Sequence, residues 1–364
     1  MIKIALITSD SSLTGAPLHV LQLAKNLKLR GFDTLIITPG GKLVEICKKE
    51  KCRYKEVMMG GPLDWKSVEK IFKVLNEYKP DIVHTHGMRA GWLGRLASRN
   101  LKCKKVYTEH LWTDTFHLKN RAYEQFQLRG LKFMDRYTDS TIAVSKTVYD
   151  YLVDKRGFDK NKIHIIPNGI NPRFINTNPI AKPQGVPYLI GSIGSLNEVK
   201  NHKVAIKAFA QVIREGPSLN IHLQIVGEGP LRKPLEKLIK REGLSERVHL
   251  LGRVDDVLDR LQHFLIFVSL SLSESFGLAV GEAMAVGLPV IVSDISALKN
   301  LVGNAGVVVP VRDTDKIARE IIKLVGDKKL RETLGRRAKK RIADNFSEKV
   351  MMDKTVALYR KLLG

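Results

Sequence analysis

NPRFINTNPIAKPQGVPYLIGSIGS, residues 171–195, is the stretch on which the architecture turns. Its first part crowds Pro172, Pro179, Pro183, Gly185 and Pro187 together, and neither a period of 2 nor one of 3.6 survives there, which is the pattern of a linker. Its last part, Tyr188–Ile193, is a short apolar run ending in Gly194-Ser195, the pattern of a strand. A new series of elements therefore opens after the linker, and 364 residues at about 150 per domain leave room for two.

The same alternation lies on both sides. Upstream, Ile2–Thr8, Thr34–Thr38, Asp81–His84, Lys105–Thr108, Ser140–Val144 and Lys162–Pro167 read as strands, with helical patterns such as Leu18–Leu29 and Val68–Tyr78 between them. Downstream, Tyr188–Ile193, Asn220–Val226, Arg247–Gly252, Phe264–Ser269, Pro289–Ser293 and Gly306–Pro310 repeat the arrangement. Strands that alternate with helices form parallel sheets. The expectation is an α/β protein of two facing, doubly wound, Rossmann-like domains: 1–171, a linker 172–187, 188–345, and a last helix in 346–364 that packs back toward the first domain. Such sheets take ligands at the carboxyl ends of their strands, which places the natural site in an interdomain cleft.

Composition narrows the class. Hydrophobic residues at 44% and charged residues at 27% exclude a disordered or collagen-like chain. No apolar run approaches the roughly 18 residues of a membrane span, and Met1–Thr8 breaks into Ser9-Asp10-Ser11-Ser12 without a secretory signal's apolar core, so a cytoplasmic location is expected. Cys47, Cys52 and Cys103 lack paired spacing and read as reduced thiols. Sixty-one basic residues against 37 acidic ones give a net charge of +24, a field that attracts polyanions. Nucleic acid is not the expected partner, because no recognition motif or aromatic stacking run accompanies the charge. An anionic membrane surface is one reading of the charge and a uniformly solvated basic surface the other, with Arg336, Arg337, Lys339, Lys340 and Arg341 as a competing basic stretch. The basic residues Arg89, Arg95, Arg99, Lys102, Lys104 and Lys105, with Trp92 and Leu93 among them, read as an interfacial stretch that Arg121, Arg129, Lys132 and Arg136 continue.

Several strand ends carry chemistry. Gly15, before a helix start, lets backbone approach an anion. Gly194 opens the corresponding strand end downstream, where Lys200 near the next helix offers a point charge to a phosphate. In Glu274-Ser275-Phe276-Gly277-Leu278-Ala279-Val280-Gly281-Glu282 the two carboxylates suit two separated sets of hydroxyls, and an unpaired Glu282 among small apolar residues is costly to bury without a ligand. His84, His86 and His110 gather at neighbouring strand ends. A zinc site is one use of them, but no acidic or cysteine partner has ligand spacing, so hydrogen bonding is the preferred reading and no metal is assigned. Asp313-Thr314-Asp315 precedes a helix and reads as its cap.

Taken together, Thr14-Gly15-Ala16-Pro17, Asp81-Ile82-Val83-His84-Thr85-His86, Thr108-Glu109-His110, Ile166-Pro167-Asn168-Gly169-Ile170, Val226-Gly227-Glu228-Gly229-Pro230-Leu231 and Glu274 through Pro289 resemble glycosyltransferase family 4, the GT-B group of mostly retaining enzymes. The resemblance implies sugar transfer from a nucleotide diphospho-sugar to an acceptor hydroxyl of a glycan or lipid-linked substrate, with the anomeric configuration kept and no cofactor or metal. It implies catalytic roles for His110 and Glu274, and donor binding by Gly15, Gly194, Lys200, Glu274, Phe276, Gly277, Leu278 and Glu282. The sequence departs from the family at Ser195, where an arginine usually pairs with the phosphate lysine, at Thr14 for a glycine, and at Lys299-Asn300 for a glutamate. These departures keep a second reading open, a non-catalytic relative that binds a nucleotide or polyanion.

Overall fold

The computed structural model describes residues 1–11, 15–61, 64–113, 117, 120–180 and 186–364; Thr14 and the side chain of Arg121 lie outside them. The chain folds as two units, Met1–Gly169 with Glu348–Gly364, and Ile170–Ser347.

In the first unit, β1 (Lys3–Thr8), β2 (Asp33–Thr38), β3 (Tyr54–Glu56), β4 (Ile82–His86), β5 (Lys104–Glu109), β6 (Ser140–Ala143) and β7 (Ile163–Ile165) pair in parallel in the order β3-β2-β1-β4-β5-β6-β7. Alternate residues of β1 feed opposite faces, as strand geometry demands. Ile4 and Leu6 meet Leu23 and Leu27 of the helix Ala16–Leu29 and Met352 and Tyr359 of the last helix. Ala5 and Ile7 meet Ile71 and Leu75 of the helix Trp65–Tyr78 and Leu93 of the helix Met88–Ser98. With both faces covered, every residue of the central β4 is buried. β3 has no counterpart in the sequence reading, because three residues with Lys55 and Glu56 exposed carry no apolar signal.

In the second unit, β8 (Tyr188–Ile193), β9 (Ile221–Val226), β10 (Val248–Gly252), β11 (Phe264–Ser269), β12 (Val290–Ser293) and β13 (Val307–Val309) pair in parallel as β10-β9-β8-β11-β12-β13. In both sheets the strand order reverses beside the first strand, at β1/β4 and at β8/β11, which is where doubly wound sheets open a crevice for ligands.

The boundaries differ from the expected ones. Ile170 already belongs to the second unit, where its N–H donates to the Phe346 carbonyl over 2.8 Å. Pro172–Ile175 forms one helical turn capped by Asn171, with Phe174 buried, so part of the expected linker is ordered core; residues 181–185 of it lie outside the described ones. The last helix, expected within 346–364, spans Glu348–Leu363. Asp313 accepts from the Lys316 N–H at 2.9 Å and caps the helix Thr314–Gly326.

The interfacial stretch requires a correction. Trp92, Leu93 and Arg95 are buried. Trp92 lies against the helix Arg121–Met134 at Gly130, where a Cβ would fall 1.7 Å from the indole. Arg95 donates to the Gly91 carbonyl (2.6 Å) and to Thr138 Oγ1 (2.9 Å) and sits 4.3 Å over the Tyr107 ring; burial brings its pKa down to about 10. These residues are core, and the neighbouring helix exposes aromatic residues instead. Tyr123, Phe126 and Phe133 of Arg121–Met134 are exposed, as are Arg129, Lys132 and Arg136. Among the described residues no helix is long and apolar enough to cross a membrane.

Candidate functional site

In the second unit, the loop after β8 is held by backbone bonds from Gly194 N to the Val226 carbonyl (2.9 Å) and from Leu196 N to the Glu228 carbonyl (3.0 Å). That contact is close: Gly227 has φ +146°, and a Cβ there would lie 2.0 Å from the Gly194 carbonyl oxygen. Asn197 then caps the short turn Glu198–Lys200, its Oδ1 accepting from Lys200 N at 3.1 Å, and Asn201 in the left-handed region opens the helix His202–Glu215. Two bonds fasten this turn to the end of β11, from Asn201 Nδ2 to the Leu270 carbonyl (3.1 Å) and from Leu272 N to the Val199 carbonyl (2.8 Å).

The result is that two expected residues from different strands meet. Lys200 Nζ lies 2.5 Å from Glu274 Oε1, which also accepts from Ser271 Oγ at 2.9 Å. The stem of Lys200 runs past Gly194, where a Cβ would stand 3.1 Å from it. Gly194 thus makes room for the lysine as well as opening the strand end. Gly277 precedes the helix Leu278–Val286, on which Glu282 sits one turn in. Burial pushes the Glu282 carboxyl up to about 7, with the charge of Arg173 pulling the other way. Leu278 is half-buried. The Phe276 ring is turned into the unit, 3% exposed and edge-on to Phe346 at 5.8 Å, so only its backbone is left for a ligand.

In the first unit, Gly15 is exposed at φ +54° and its carbonyl accepts from His19 N at 3.1 Å, starting the helix Ala16–Leu29. His110 follows β5. Beneath it, the buried Glu109 accepts from Tyr107 Oη (2.5 Å), Leu111 N (2.8 Å) and Trp112 N (3.2 Å), which fixes the turn that presents the imidazole. His86 Nδ1 lies 3.3 Å from His110 Nε2. His84 is not available to a ligand: its Nδ1 is 2.6 Å from Tyr359 Oη and its Nε2 2.7 Å from Thr108 Oγ1. The third member of the cluster is His19, 5.4 Å from His86 and 5.0 Å from His110 between ring centres. Sequence reasoning missed it because a histidine inside a helical apolar pattern carries no signal of its own. It missed Ser271, in the loop after β11, and Arg173, in the stretch expected to be linker, because a lone serine or arginine in an irregular segment carries no signal either. Burial holds His86 and His110 well below the usual imidazole range and lowers His19 to about 4, so all three rings are neutral.

Residues 13–174 match the family model described as Glycosyltransferase Family 4 and residues 176–341 the one described as Glycosyl transferases group 1. An uncharacterized glycosyltransferase of Methanocaldococcus jannaschii is 26% identical over 98% of both chains. The UDP-Gal:alpha-D-GlcNAc-diphosphoundecaprenol alpha-1,3-galactosyltransferase of Escherichia coli is 28% identical over 81% of this chain and 79% of its own. Among solved structures, HepE of Anabaena in complex with UDP superposes with a TM-score of 0.85 at 20% identity, covering 99% of this chain and 100% of that one. Two parallel-sheet units, two adjoining family matches and full-length likeness agree: the chain is a glycosyltransferase of GT-B fold and belongs to glycosyltransferase family 4.

Proposed function

We propose that the protein moves a sugar from a nucleotide diphospho-sugar to a hydroxyl of a glycan or lipid-linked acceptor, keeping the anomeric configuration and using no divalent metal. The observation that carries this reading is the Lys200–Glu274 pair at the β8/β11 switch point, with the underpaired Glu282 one helical turn beyond Gly277. A diphosphate arriving at Lys200 exchanges one anionic partner for another. That exchange frees the Glu274 carboxylate for sugar hydroxyls, while Glu282 accepts from the ribose. Ser195, exposed where the family usually has arginine, adds no charge, so leaving-group stabilisation falls to Lys200 and the backbone N–H groups at the helix start. The first unit contributes His110, whose neutral ring offers a hydrogen-bonding nitrogen to a hydroxyl.

The acceptor side is supported by a cavity of about 380 Å³ at the carboxyl ends of β1 and β4, lined by Ser9, Asp10, Met88, Arg89, Tyr123 and Gln127. It adjoins the helix Arg121–Met134 with its exposed Phe126 and Phe133, a surface suited to an anionic membrane that carries a lipid-linked acceptor. The Escherichia coli relative, named for transfer to a diphosphoundecaprenol-linked sugar, agrees with this.

Calorimetry with UDP tests the donor site. Lys200→Ala and Glu282→Ala should each lose about 1–3 kcal/mol of binding, the value of a charge-assisted hydrogen bond; unchanged affinity in both overturns the assignment. Proton NMR of the product made in the presence of a chelator tests retention and metal independence together. Nucleotide binding without transfer to any acceptor favours the non-catalytic reading, for which the missing arginine at Ser195 speaks.

A further inference from the structure

Hydrogen bonding accounts for only part of the three-histidine cluster of the first unit: His86 Nδ1 meets His110 Nε2 and Asn168 reaches His19. His19 comes from the helix Ala16–Leu29, His86 ends β4 and His110 follows β5, so three separate elements are required to assemble it. The ring centres make a near-equilateral triangle of 5.0, 5.4 and 5.6 Å. Imidazoles bound through one nitrogen each to a tetrahedral ion, at a metal–nitrogen distance of about 2.0–2.1 Å, have centres about 5 Å apart and nitrogens about 3.3 Å apart. One nitrogen of each ring lies within 4.8 Å of the other two, and His86 Nδ1 and His110 Nε2 are already at 3.3 Å. Buried His19 Nδ1 has no hydrogen-bond partner, a cost that a ligand would remove. All three rings are neutral, the form that coordinates a metal.

We infer that His19, His86 and His110 are a binding site for a borderline divalent transition metal of the zinc class, held by three imidazoles with one position open. The inference stands on the geometry of the first unit and does not depend on the transfer reaction. On the role proposed above for His110, occupancy takes that ring out of use and makes the metal an inhibitor that a chelator relieves.

The test is direct titration of the metal-stripped full chain with Zn²⁺ and with Co²⁺ in a non-coordinating buffer. The expected result is one saturable equivalent, weakened at least about tenfold by His19→Asn and by His86→Asn. It should be unchanged by His222→Ala, which removes the other histidine pair, and by Cys52→Ser. Zinc-edge absorption on the wild-type chain gives a second reading that needs no variant to fold: three imidazoles and no sulfur in the first coordination sphere. Absence of saturable binding, undiminished affinity in a folded His19→Asn chain, or sulfur in that sphere overturns the inference.

Discussion

Glu282 is the residue at which binding and stability pull apart. Its carboxyl titrates near its ordinary 4.5 in the unfolded chain and near 7 in the folded one. Between those values the folded state holds the extra proton, so this residue's contribution to stability falls as pH rises from about 4.5 to about 7, then stays level. Glu282→Gln removes that penalty. The variant should be more stable than wild type at pH 8, on the order of 1–2 kcal/mol, and little different at pH 5, while its affinity for UDP drops. Thermal unfolding at the two pH values checks it; a variant that melts lower than wild type at pH 8 would show that Glu282 is already well paired in the fold.

At the scale of elements, the turn Glu198–Lys200 depends on one backbone approach. Gly227→Ala introduces a Cβ 2.0 Å from the Gly194 carbonyl at φ +146°, where neither the neighbour nor the backbone can give way cheaply. A loss on the order of 2–4 kcal/mol in chemical unfolding is expected, with weaker UDP binding because Gly194 and the Lys200 stem move together. Loss of neither would mean that the turn relaxes freely. The helix His202–Glu215 supplies a second case. Burial, with the charge of Lys200 adding to it, lowers His202 from 6.5 to about 4. A histidine depressed in this way stabilises the fold above pH 6.5, and the contribution is lost as pH falls from 6.5 through about 4, up to about 3 kcal/mol. His202→Gln should flatten that decline in calorimetric scans between pH 7 and 4.5. A decline as steep as that of wild type would assign acid sensitivity to other groups.

For the whole molecule, the net charge of +24 is a long-range field, and where it acts is decided by which apolar groups are exposed beside it. The buried Trp92 and Arg95 leave that part to the helix Arg121–Met134. Wild-type protein should float with anionic liposomes at low salt and be released at high salt, since basic side chains contribute about 1 kcal/mol each near such a surface. Changing Phe126 and Phe133 to serine with Lys132 and Arg136 to glutamate should abolish flotation. Changing Arg336, Arg337 and Lys340 of the helix Lys328–Asn345 should not. Equal flotation of all three proteins would reduce the charge to a solubility feature.

Alternating short apolar runs and amphipathic stretches determined both parallel sheets except the exposed edge strand β3, because a strand buried on two faces must be apolar along its length and the helices that cover it must be amphipathic. Lys200, Glu274 and His110 stood out as candidates for a related reason: they follow the carboxyl ends of strands, where the order of elements already says that a ligand crevice opens, whereas Glu282, inside a helix, stood out by the cost of burying its carboxylate. Local pattern could not say which side chains meet across elements. The bond from Lys200 to Glu274 spans 74 residues and depends on β8 lying beside β11. The last helix fixes His84 through Tyr359, 275 residues away, and that pairing leaves His19 as the third member of the cluster. Trp92 and Arg95 carried the residue types of an interfacial surface, yet Gly130 made room for the indole and Tyr107 and Thr138 received the guanidinium. Burial and partnership belong to the packed chain, because the energy of a charge or a ring is set by what surrounds it and not by its neighbours in sequence.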